Sequence, residues 1–487
     1  MARPGSQGDP TGGRILVLGS DARSFLGVVR SLGRRGAEVH VAWHRPGERA
    51  LRSRYVTRVH ELPRPEDCMA GGGGAAAWFP SLAELCARER FDLVLPTNDP
   101  ATVALHGVRD RLDALGTVAL INQRAFAVTY DKRATSELAR ELDLPVPEEV
   151  VVTDAADVDA EELLERLGSP VVLKPRDSFA FGRRKWEHQV RKVRDARELR
   201  TSLEALLGTG PVLAQRNVPG VGVGVEVLAD RGRLLLALQH RRLHEPLEGG
   251  GSSYRVTEEL DPALIGATRA LCAAMDYHGV GMFEFKRDVA SCDWWLIEIN
   301  GRFWGSLPLA LAAGADFPWA LVELHTRGSV NEPPPYRRGV TCRNIAMDWP
   351  WLWRNLRADR RDPELATVGL GTLCGELLRA VTFRDHYDSF ARDDRGPFWA
   401  ELRAVSHDLG RILMDKGARL PYRLPFLREL LISRLRRRAA DSARLLFVCK
   451  GNICRSPFAE HYARRVLPPH VQILSNGTWP HPNRSGG

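Results

Sequence analysis

Lysine is the residue type that this 487-residue sequence most clearly lacks. Only seven of its 69 basic residues are lysines, at positions 132, 174, 185, 192, 286, 416 and 450, and the other 62 are arginines. Such a bias, with a formal net charge of only +9, is typical of genome composition rather than of a surface selected for nucleic acid. We therefore expect no nucleic-acid partner, and the position of each lysine is informative.

Long apolar runs and a cysteine framework are also absent. No run of 18 or more apolar residues occurs, which argues against a membrane-spanning helix and a membrane partner. The first ten residues have no apolar core, so we expect no secretion signal. The eight cysteines show neither zinc-type spacing nor a paired pattern, which is typical of a reduced, cytoplasmic protein.

Length and residue pattern predict a multidomain chain of α/β and α+β class. The hydrophobic fraction of 44% and charged fraction of 26% are ordinary for globular proteins, and the chain is too long for one core. The predicted parts are a loose tail (1–13), a parallel α/β domain (14–122), an α+β domain (123–328), a mostly helical linker domain (329–443) and a last βαβ unit (444–487).

The segment 279–305 contains the strongest candidate site. Two apolar β-runs flank a polar loop at 288–293, which predicts a hairpin that places Glu284 opposite Glu298. Asn300 shares a face with Glu298 because side chains alternate along a strand. Opposed like charges destabilise a sheet, whereas Mg²⁺ carrying nucleotide phosphates would stabilise two carboxylates and an amide oxygen. The alternative is a solvent-facing hairpin with incidental acids.

Two of the rare lysines stand at positions suited to phosphate. Lys174 ends a buried run and precedes a loop of small residues, as a phosphate contact would. Lys132 begins a helix, where a cation opposes the helix dipole and so favours a functional reason. For both residues the alternative is a lysine that reaches from the end of its element into solvent.

Taken together, these features resemble the ATP-grasp superfamily over about 14–328, including the α/β domain that usually precedes its ATP-binding part. The pieces follow the family order: Lys132 before a Pro-Val-Pro turn, Lys174 before a proline, an adenine hinge at 214–220, a substrate-facing segment at 239–253, and the 279–305 hairpin. Two departures affect the nucleotide site. Gln215-Arg216 stands where the hinge commonly carries an acid, and no acid occurs at 221–224 for the ribose, which leaves Glu226 as a substitute.

The resemblance implies ATP and Mg²⁺, with Mn²⁺ as the alternative ion. The implied reaction activates a small carboxylate as an acyl-phosphate, which a small amine or similar nucleophile attacks. The implied roles are phosphate binding by Lys132 and Lys174, adenine binding near Gln215, Arg216 and Val218, ribose binding by Glu226, metal binding by Glu284, Glu298 and Asn300, stabilisation of the transferred phosphoryl group by Arg302, and orientation of the carboxylate by Arg241 or Arg242.

The tail from Arg444 predicts a second site. A strand runs into Cys449, and Arg455 and Ser456 open a helix whose next residue is Pro457. Loop amides and a helix N-terminus form an anion nest. Arg455 would favour a Cys449 thiolate and clamp a phosphoryl group, and Ser456 could hydrogen-bond to the thiolate. The Cys-x5-Arg-Ser pattern resembles the low-molecular-weight protein tyrosine phosphatases, which implies a phosphoprotein as a further partner.

This second resemblance covers 444–487 alone, about the first third of such a domain. The aspartate followed by proline that serves as the family's general acid has no counterpart in the sequence, so we expect a truncated fragment with impaired activity. Three functions therefore compete: an ATP-dependent ligase, a tyrosine phosphatase acting through Cys449, and a nucleotide- or phosphate-binding module without turnover.

Overall fold

The computed structural model describes most of the chain, and it separates into two compact units. The described residues are 13–20, 23–45, 47–70, 72–182, 190–246, 251–332, 334–360, 365, 367–423, 425–441, 444–449, 455–467 and 469–477. The first unit extends to Leu402 and the second begins at Arg403.

The first unit begins with a parallel sheet of four strands, in the order β3-β2-β1-β4. The two adjacent strands β1 and β4 are almost wholly apolar and buried, as expected for the part of a parallel sheet that is covered on both faces. After β4 and α4, Val118 adds one parallel bridge to Val94 at the edge of this sheet. The elements are β1 (Arg14–Leu18), α1 (Ser24–Arg34), β2 (Glu38–Ala42), β3 (Arg58–His60), α2 (Pro65–Ala70), α3 (Phe79–Glu89), β4 (Leu93–Pro96), α4 (Asp99–His106) and α5 (Gln123–Thr129).

A small antiparallel sheet follows, in the order β5-β8-β6-β7, and packs on two helices. Lys174 lies near the end of β6, as the sequence predicts, and Lys132 is the first residue of α6, where Asp131 caps the helix. The elements are α6 (Lys132–Glu141), β5 (Glu149–Val152), α7 (Ala160–Leu167), β6 (Val171–Pro175), β7 (Arg191–Val193), α8 (Ala196–Leu207) and β8 (Val212–Arg216).

A seven-stranded sheet forms the centre of this unit, in the order β13-β12-β9-β10-β11-β14-β15. One face packs on α9, and the other packs on α10, α11 and the α/β domain. The elements are β9 (Val221–Asp230), β10 (Arg233–His244), β11 (Tyr254–Glu258), α9 (Pro262–Ala274), β12 (Gly279–Arg287), β13 (Trp294–Asn300), α10 (Leu307–Ala313), α11 (Phe317–Arg327), β14 (Thr341–Arg343), α12 (Ile345–Arg357), α13 (Leu370–Val381) and β15 (His386–Tyr387).

The segment predicted as a helical linker thus also supplies strands β14 and β15 to the large sheet. A buried histidine of β10 joins α12 and α13 to this sheet, because His244 bonds to Asp348 at 2.7 Å and to Glu376 at 2.9 Å. Burial lowers the pKa of His244, but the two carboxylates outweigh it and the net shift is upward. His244 also stacks on Trp351, with ring centroids 3.5 Å apart.

The second unit contains helices and one βαβ element. Helix α14 (Gly396–Arg423) crosses the division at Leu402, and α15 (Pro425–Ala440) follows it. The strands β16 (Arg444–Cys449) and β17 (Gln472–Gly477) pair in parallel, and α16 (Arg455–Val466) connects them. The structure therefore confirms the fold class that the sequence predicts, in both units.

Within the described residues, no single helix has the length and apolar character needed to cross a membrane. The bent pair α10 and α11 meets those criteria when the two are taken together. Both helices contribute buried residues to the core of the first unit.

Candidate active site

The hairpin of β12 and β13 carries the predicted acidic site. Glu284 pairs directly with Glu298, so the structure confirms the register that the loop length predicts. The register shifts by one residue beyond Glu284, which leaves Ile297 as the extra residue of a bulge. Asn300 lies two residues after Glu298 on the same face. The apolar residues that alternate with these groups on β12 pack into the core on the opposite face.

The neighbouring strand β9 presents glycines on the face of this site. In the segment 221–226, valines alternate with Gly222 and Gly224 before Glu226. A Cβ atom on Gly224 would lie 2.8 Å from Nδ1 of His240, and one on Gly222 would lie 2.6 Å from Cδ of Arg242. Side chains of β10 therefore lie across β9, where any larger residue would displace them.

Glu284 is the most strongly engaged of the three predicted metal ligands. Its Oε1 accepts a hydrogen bond from Nδ2 of Asn300 at 2.9 Å, and its Oε2 accepts one from Arg242. Burial raises the pKa of Glu284, and the charge of Glu298 raises it further, against the opposing effect of Arg242. This is the repulsion that the sequence predicts for opposed carboxylates, and a bound cation would reduce it.

The two predicted phosphate lysines lie close to one another and to this acidic pair. Lys174 is 4% exposed and donates to the carbonyl of Ile297 at 3.4 Å. Burial and the charge of Lys132 lower the pKa of Lys174 to about 8. Lys132 donates to Oγ of Ser178 at 3.3 Å, within the loop that follows β6. Two neighbouring ammonium groups, one of them buried, favour an anionic ligand between them.

Arg302 is held by the preceding α/β domain. Its Nε donates to Oδ1 of Asp99 at 2.6 Å, and the same oxygen accepts from Tyr130 at 3.1 Å. Burial lowers the pKa of Arg302, but Asp99 more than compensates, so the guanidinium stays charged. Asp99 begins α4 at the carboxyl end of β4, the edge at which open α/β sheets commonly bind ligands.

The acidic pair, Asn300 and Arg302 with its partner Asp99 line one cavity of about 290 Å³ between the large sheet and the α/β domain, whereas Lys132 and Lys174 lie outside its lining. The cavity contains both cationic and anionic side chains, as a site for phosphates, a metal ion and a carboxylate would require. Its polar lining includes Arg23, Asn98, Asp99, His240, Arg242, Ser252, Glu284, Glu298, Asn300 and Arg302.

The predicted adenine hinge lies at the end of β8, and its side chains are engaged within the protein. Gln215 is buried and donates to Glu149 at 3.1 Å. Arg216 is exposed and pairs with Glu148 at 2.7 Å. The carbonyl of Val218 accepts from Lys286 at 3.2 Å. None of the three lines the cavity around Arg302, so their role in adenine binding remains a prediction.

The assignment of Arg241 requires correction. Its side chain pairs with Glu258 at 2.5 Å and does not line the cavity. Residues 240 and 242 face the cavity instead, because alternate residues of β10 point to opposite sides of the sheet. The sequence left Arg241 and Arg242 as alternatives, and the structure favours Arg242.

Glu226 also differs from its predicted place. It is fully buried, accepts from Ser306 at 3.0 Å and lies 2.5 Å from Nδ1 of His240. Ser306 and His240 line the cavity near Arg302, whereas the Glu226 carboxylate lies behind them in the protein interior. The buried carboxylate of Glu226 therefore does not fit the predicted ribose role.

Two cavity residues, His240 and Asp99, had no individual role in the sequence predictions, although His240 lies within the predicted substrate-facing segment at 239–253. His240 lies two residues before Arg242, so strand alternation alone places it on the same face. Asp99 directly follows a buried parallel strand, which is a recognisable position for a ligand contact. Those signals could have identified both residues before the structure was known.

The predicted phosphatase segment has the expected strand–helix–strand order. Cys449 ends β16, and α16 begins at Arg455, as the sequence predicts. The side chains of Cys449, Arg455 and Ser456 lie outside the described residues. The loop between the two elements lies outside them as well.

Comparison with known proteins agrees with both resemblances. Residues 209–347 match the family described as ATP-grasp in the biosynthetic pathway with Ter operon, and residues 444–486 match the low-molecular-weight phosphotyrosine protein phosphatase family. A curated relative, the large chain of carbamoyl phosphate synthase from Clostridium acetobutylicum, is 23% identical over 209 residues. That match covers 42% of this chain and 19% of the relative, so the chain spans about a fifth of the relative's length.

Solved structures share the fold of the first unit. The L-amino acid ligase of Bacillus licheniformis is 17% identical, with a TM-score of 0.50, over 68% of this chain and 78% of that one. N5-carboxyaminoimidazole synthetase of Staphylococcus aureus is 14% identical, with a TM-score of 0.52, over 71% and 86%. The biotin carboxylase domain of the Hydrogenobacter thermophilus 2-oxoglutarate carboxylase, solved in complex with MgADP, is 16% identical, with a TM-score of 0.53, over 68% and 73%.

Proposed function

We propose that this chain, an ATP-grasp fold with a phosphatase-like segment after it, is an ATP-dependent ligase that joins a small carboxylate to an amine. A carboxylate oxygen of the substrate would attack the γ-phosphorus of ATP, and ADP would leave. The amine nitrogen would then attack the acyl carbon, inorganic phosphate would leave, and the nitrogen would lose a proton. The same chemistry accommodates a different nucleophile in place of the amine.

The observation that carries this proposal is the position of the two lysines beside the opposed carboxylates. Lys174 is buried next to Lys132, and this arrangement costs free energy unless an anion lies between them. ATP phosphates would supply that anion and place the terminal phosphoryl group near Arg302. Arg302 would then offset the charge that develops on the phosphoryl oxygens during transfer.

The donor set suits Mg²⁺, with Mn²⁺ as the alternative ion. Glu284, Glu298 and Asn300 offer hard oxygen ligands on one face, and the two carboxylates repel each other without a cation. When bound, the ion would neutralise phosphate charge during transfer. The MgADP bound to the Hydrogenobacter thermophilus domain supports a nucleotide with this ion here.

The cavity suits a small substrate. Its volume of about 290 Å³ must hold the end of ATP and the substrate carboxylate together. We assign Arg242 to orient that carboxylate, because its planar guanidinium can form two parallel hydrogen bonds.

The test is ADP release from ATP and Mg²⁺ in the presence of amino acids and small carboxylic acids, supplied singly and in pairs. Glu298→Ala should abolish any turnover that the screen detects. Glu259→Ala is the matched control, because Glu259 is an exposed glutamate that pairs with Arg338 outside the cavity. Turnover that survives Glu298→Ala would refute the assignment.

A second function is supported by the βαβ element and its family match over 444–486. As a phosphatase, the protein would hydrolyse a small aryl phosphate through a Cys449 thiolate, and a phosphoprotein would be its natural partner. Cys449→Ser should remove that hydrolysis, and Cys374→Ser, which changes an exposed cysteine elsewhere, should preserve it. Hydrolysis that persists in Cys449→Ser would reject this function.

A binding module without turnover is the third function, since the hinge lacks the usual acid. It would bind ATP and form no product with any substrate mixture. Calorimetry with ATP and Mg²⁺, run beside the ADP-release screen, distinguishes it from the ligase.

A further inference from the structure

Arg242 forms an ion pair with Glu284, a carboxylate that the proposed function assigns to the metal ion. Its guanidinium donates to Oε2 of Glu284, and Nδ2 of Asn300 holds the other oxygen at 2.9 Å. Both oxygens of Glu284 therefore accept hydrogen bonds within the protein. A metal ion would have to displace Arg242 to coordinate the oxygen that the guanidinium now holds.

Glu298 offers a direct contrast. It is the cross-strand partner of Glu284. Across the part of the chain that the structure describes, its carboxylate forms neither a hydrogen bond nor an ion pair with another residue. Of the two predicted metal carboxylates, one is thus available and the other is held by an internal cation.

The ion pair between Arg242 and Glu284 spans the strand β9, which lies between them. Arg242 extends from β10 across β9 to reach Glu284 on β12, and Gly222 lies beneath it. A Cβ atom on Gly222 would lie 2.2 Å from Oε1 of Glu245, which also pairs with Arg242 at 3.4 Å, and 2.6 Å from Cδ of Arg242, so a larger residue would disturb the crossing. The side chains of Arg242 and Glu284 are 10% and 13% exposed, so water screens their attraction only weakly.

We propose that Arg242 is an internal substitute for the metal ion, holding Glu284 in the nucleotide-free protein and released when the metal ion arrives with ATP. This inference rests on the proposed function, since it takes Glu284 as a metal ligand. Release would free the guanidinium to bind the substrate carboxylate, so the nucleotide would bind before the acid. The same arginine would thus keep the carboxylate site closed until ATP is in place.

The test measures binding of Mn²⁺ alone, by calorimetry or by the electron paramagnetic resonance signal of free Mn²⁺, and needs no substrate. Removal of the competing cation in Arg242→Ala should tighten Mn²⁺ binding by about tenfold, within the usual range for coupled sites. Arg241→Ala is the matched control, because it removes the same charge from the same strand, outside the cavity. It should change the Mn²⁺ affinity by less than about twofold, as expected for an exposed charge.

Each outcome decides the question. Tighter binding in Arg242→Ala alone supports the exchange, whereas an equal change in both variants, or no change, overturns it. If Arg242→Ala fails to fold, Arg242→Lys retains a charge without the planar fork and should bind Mn²⁺ more tightly than the parent protein; an unchanged affinity would overturn the exchange. Because Mn²⁺ binding is measured without turnover, failure of the ligase proposal would be seen separately, in the ADP-release screen.

Discussion

The affinity for ATP should fall steeply above pH 8 because of a single buried lysine. Burial and the neighbouring Lys132 lower the pKa of Lys174 to about 8. At pH 7 about nine-tenths of Lys174 is protonated, and at pH 9 about one-tenth is. Since only the protonated form attracts phosphate, the Kd for ATP should rise about tenfold across this interval, which corresponds to about 1.4 kcal/mol.

Isothermal titration calorimetry at constant Mg²⁺ between pH 7 and pH 9 provides the assay. Above pH 8, Lys174 should take up a proton when ATP binds, which is detected as a dependence of the heat on the buffer's ionisation enthalpy. Lys174→Arg should bind ATP with a nearly constant Kd, because an arginine stays charged throughout this range. A Kd that is flat in the parent protein, or an affinity that falls equally steeply in Lys174→Arg, would refute the reasoning.

The same lowered pKa predicts how stability depends on pH. The folded state binds fewer protons than the unfolded state between about pH 8 and pH 10.4, so the free energy of unfolding should rise with pH in that window. Over that whole window, one lysine with a pKa of about 8 in the folded protein changes the free energy of unfolding by about 3 kcal/mol. Urea titrations of the parent protein and of Lys174→Met measure the difference, and equal slopes with pH would contradict the shift.

Two further substitutions test the packing of the large sheet. Gly224→Ala should lower the free energy of unfolding by about 1–3 kcal/mol, because the new methyl group meets the His240 ring; Gly266→Ala on α9, where no atom lies within 4 Å, is the control and should be neutral or stabilising. The protonated form of His244 stabilises the fold below its unfolded pKa of about 6.5, and this stability is lost as pH rises through the raised pKa of the folded state. His244→Gln should flatten that fall between pH 6 and pH 8, and an unchanged urea-midpoint profile would show that the ion pairs with Asp348 and Glu376 do not contribute.

Local patterns predicted much of this site. Loop length predicted the pairing of Glu284 with Glu298, and the bulge at Ile297 contributes to it, because the residues nearer the loop pair one position away from that register. The positions of Lys132 and Lys174 also followed from local features, namely a helix start and the end of a buried strand. What local patterns could not show was the partner that each charge would find. Asp99 and Arg302 are 203 residues apart in sequence, and only the docking of the α/β domain brings them together.

The choice between Arg241 and Arg242 depends on the order of the strands in the sheet, which the sequence does not show locally. Alternation establishes that the two arginines face opposite sides of the sheet, but not which side holds the site. That side is set by the placement of β9 between β10 and β12, since Gly222 and Gly224 open the surface of β9 on one face only. In sequence alone, a glycine inside a strand indicates only a weaker strand. The function of Gly222 and Gly224 becomes evident once the strand order is known. Strand β10, which carries Arg242, lies on one side of β9, and β12, which carries Glu284, lies on the other. A test follows from this order: in Gly222→Ala the new methyl group meets both Glu245 and Arg242, so it should displace Arg242 and tighten Mn²⁺ binding in the same direction as Arg242→Ala. Unchanged binding would separate the glycines from the ion pair.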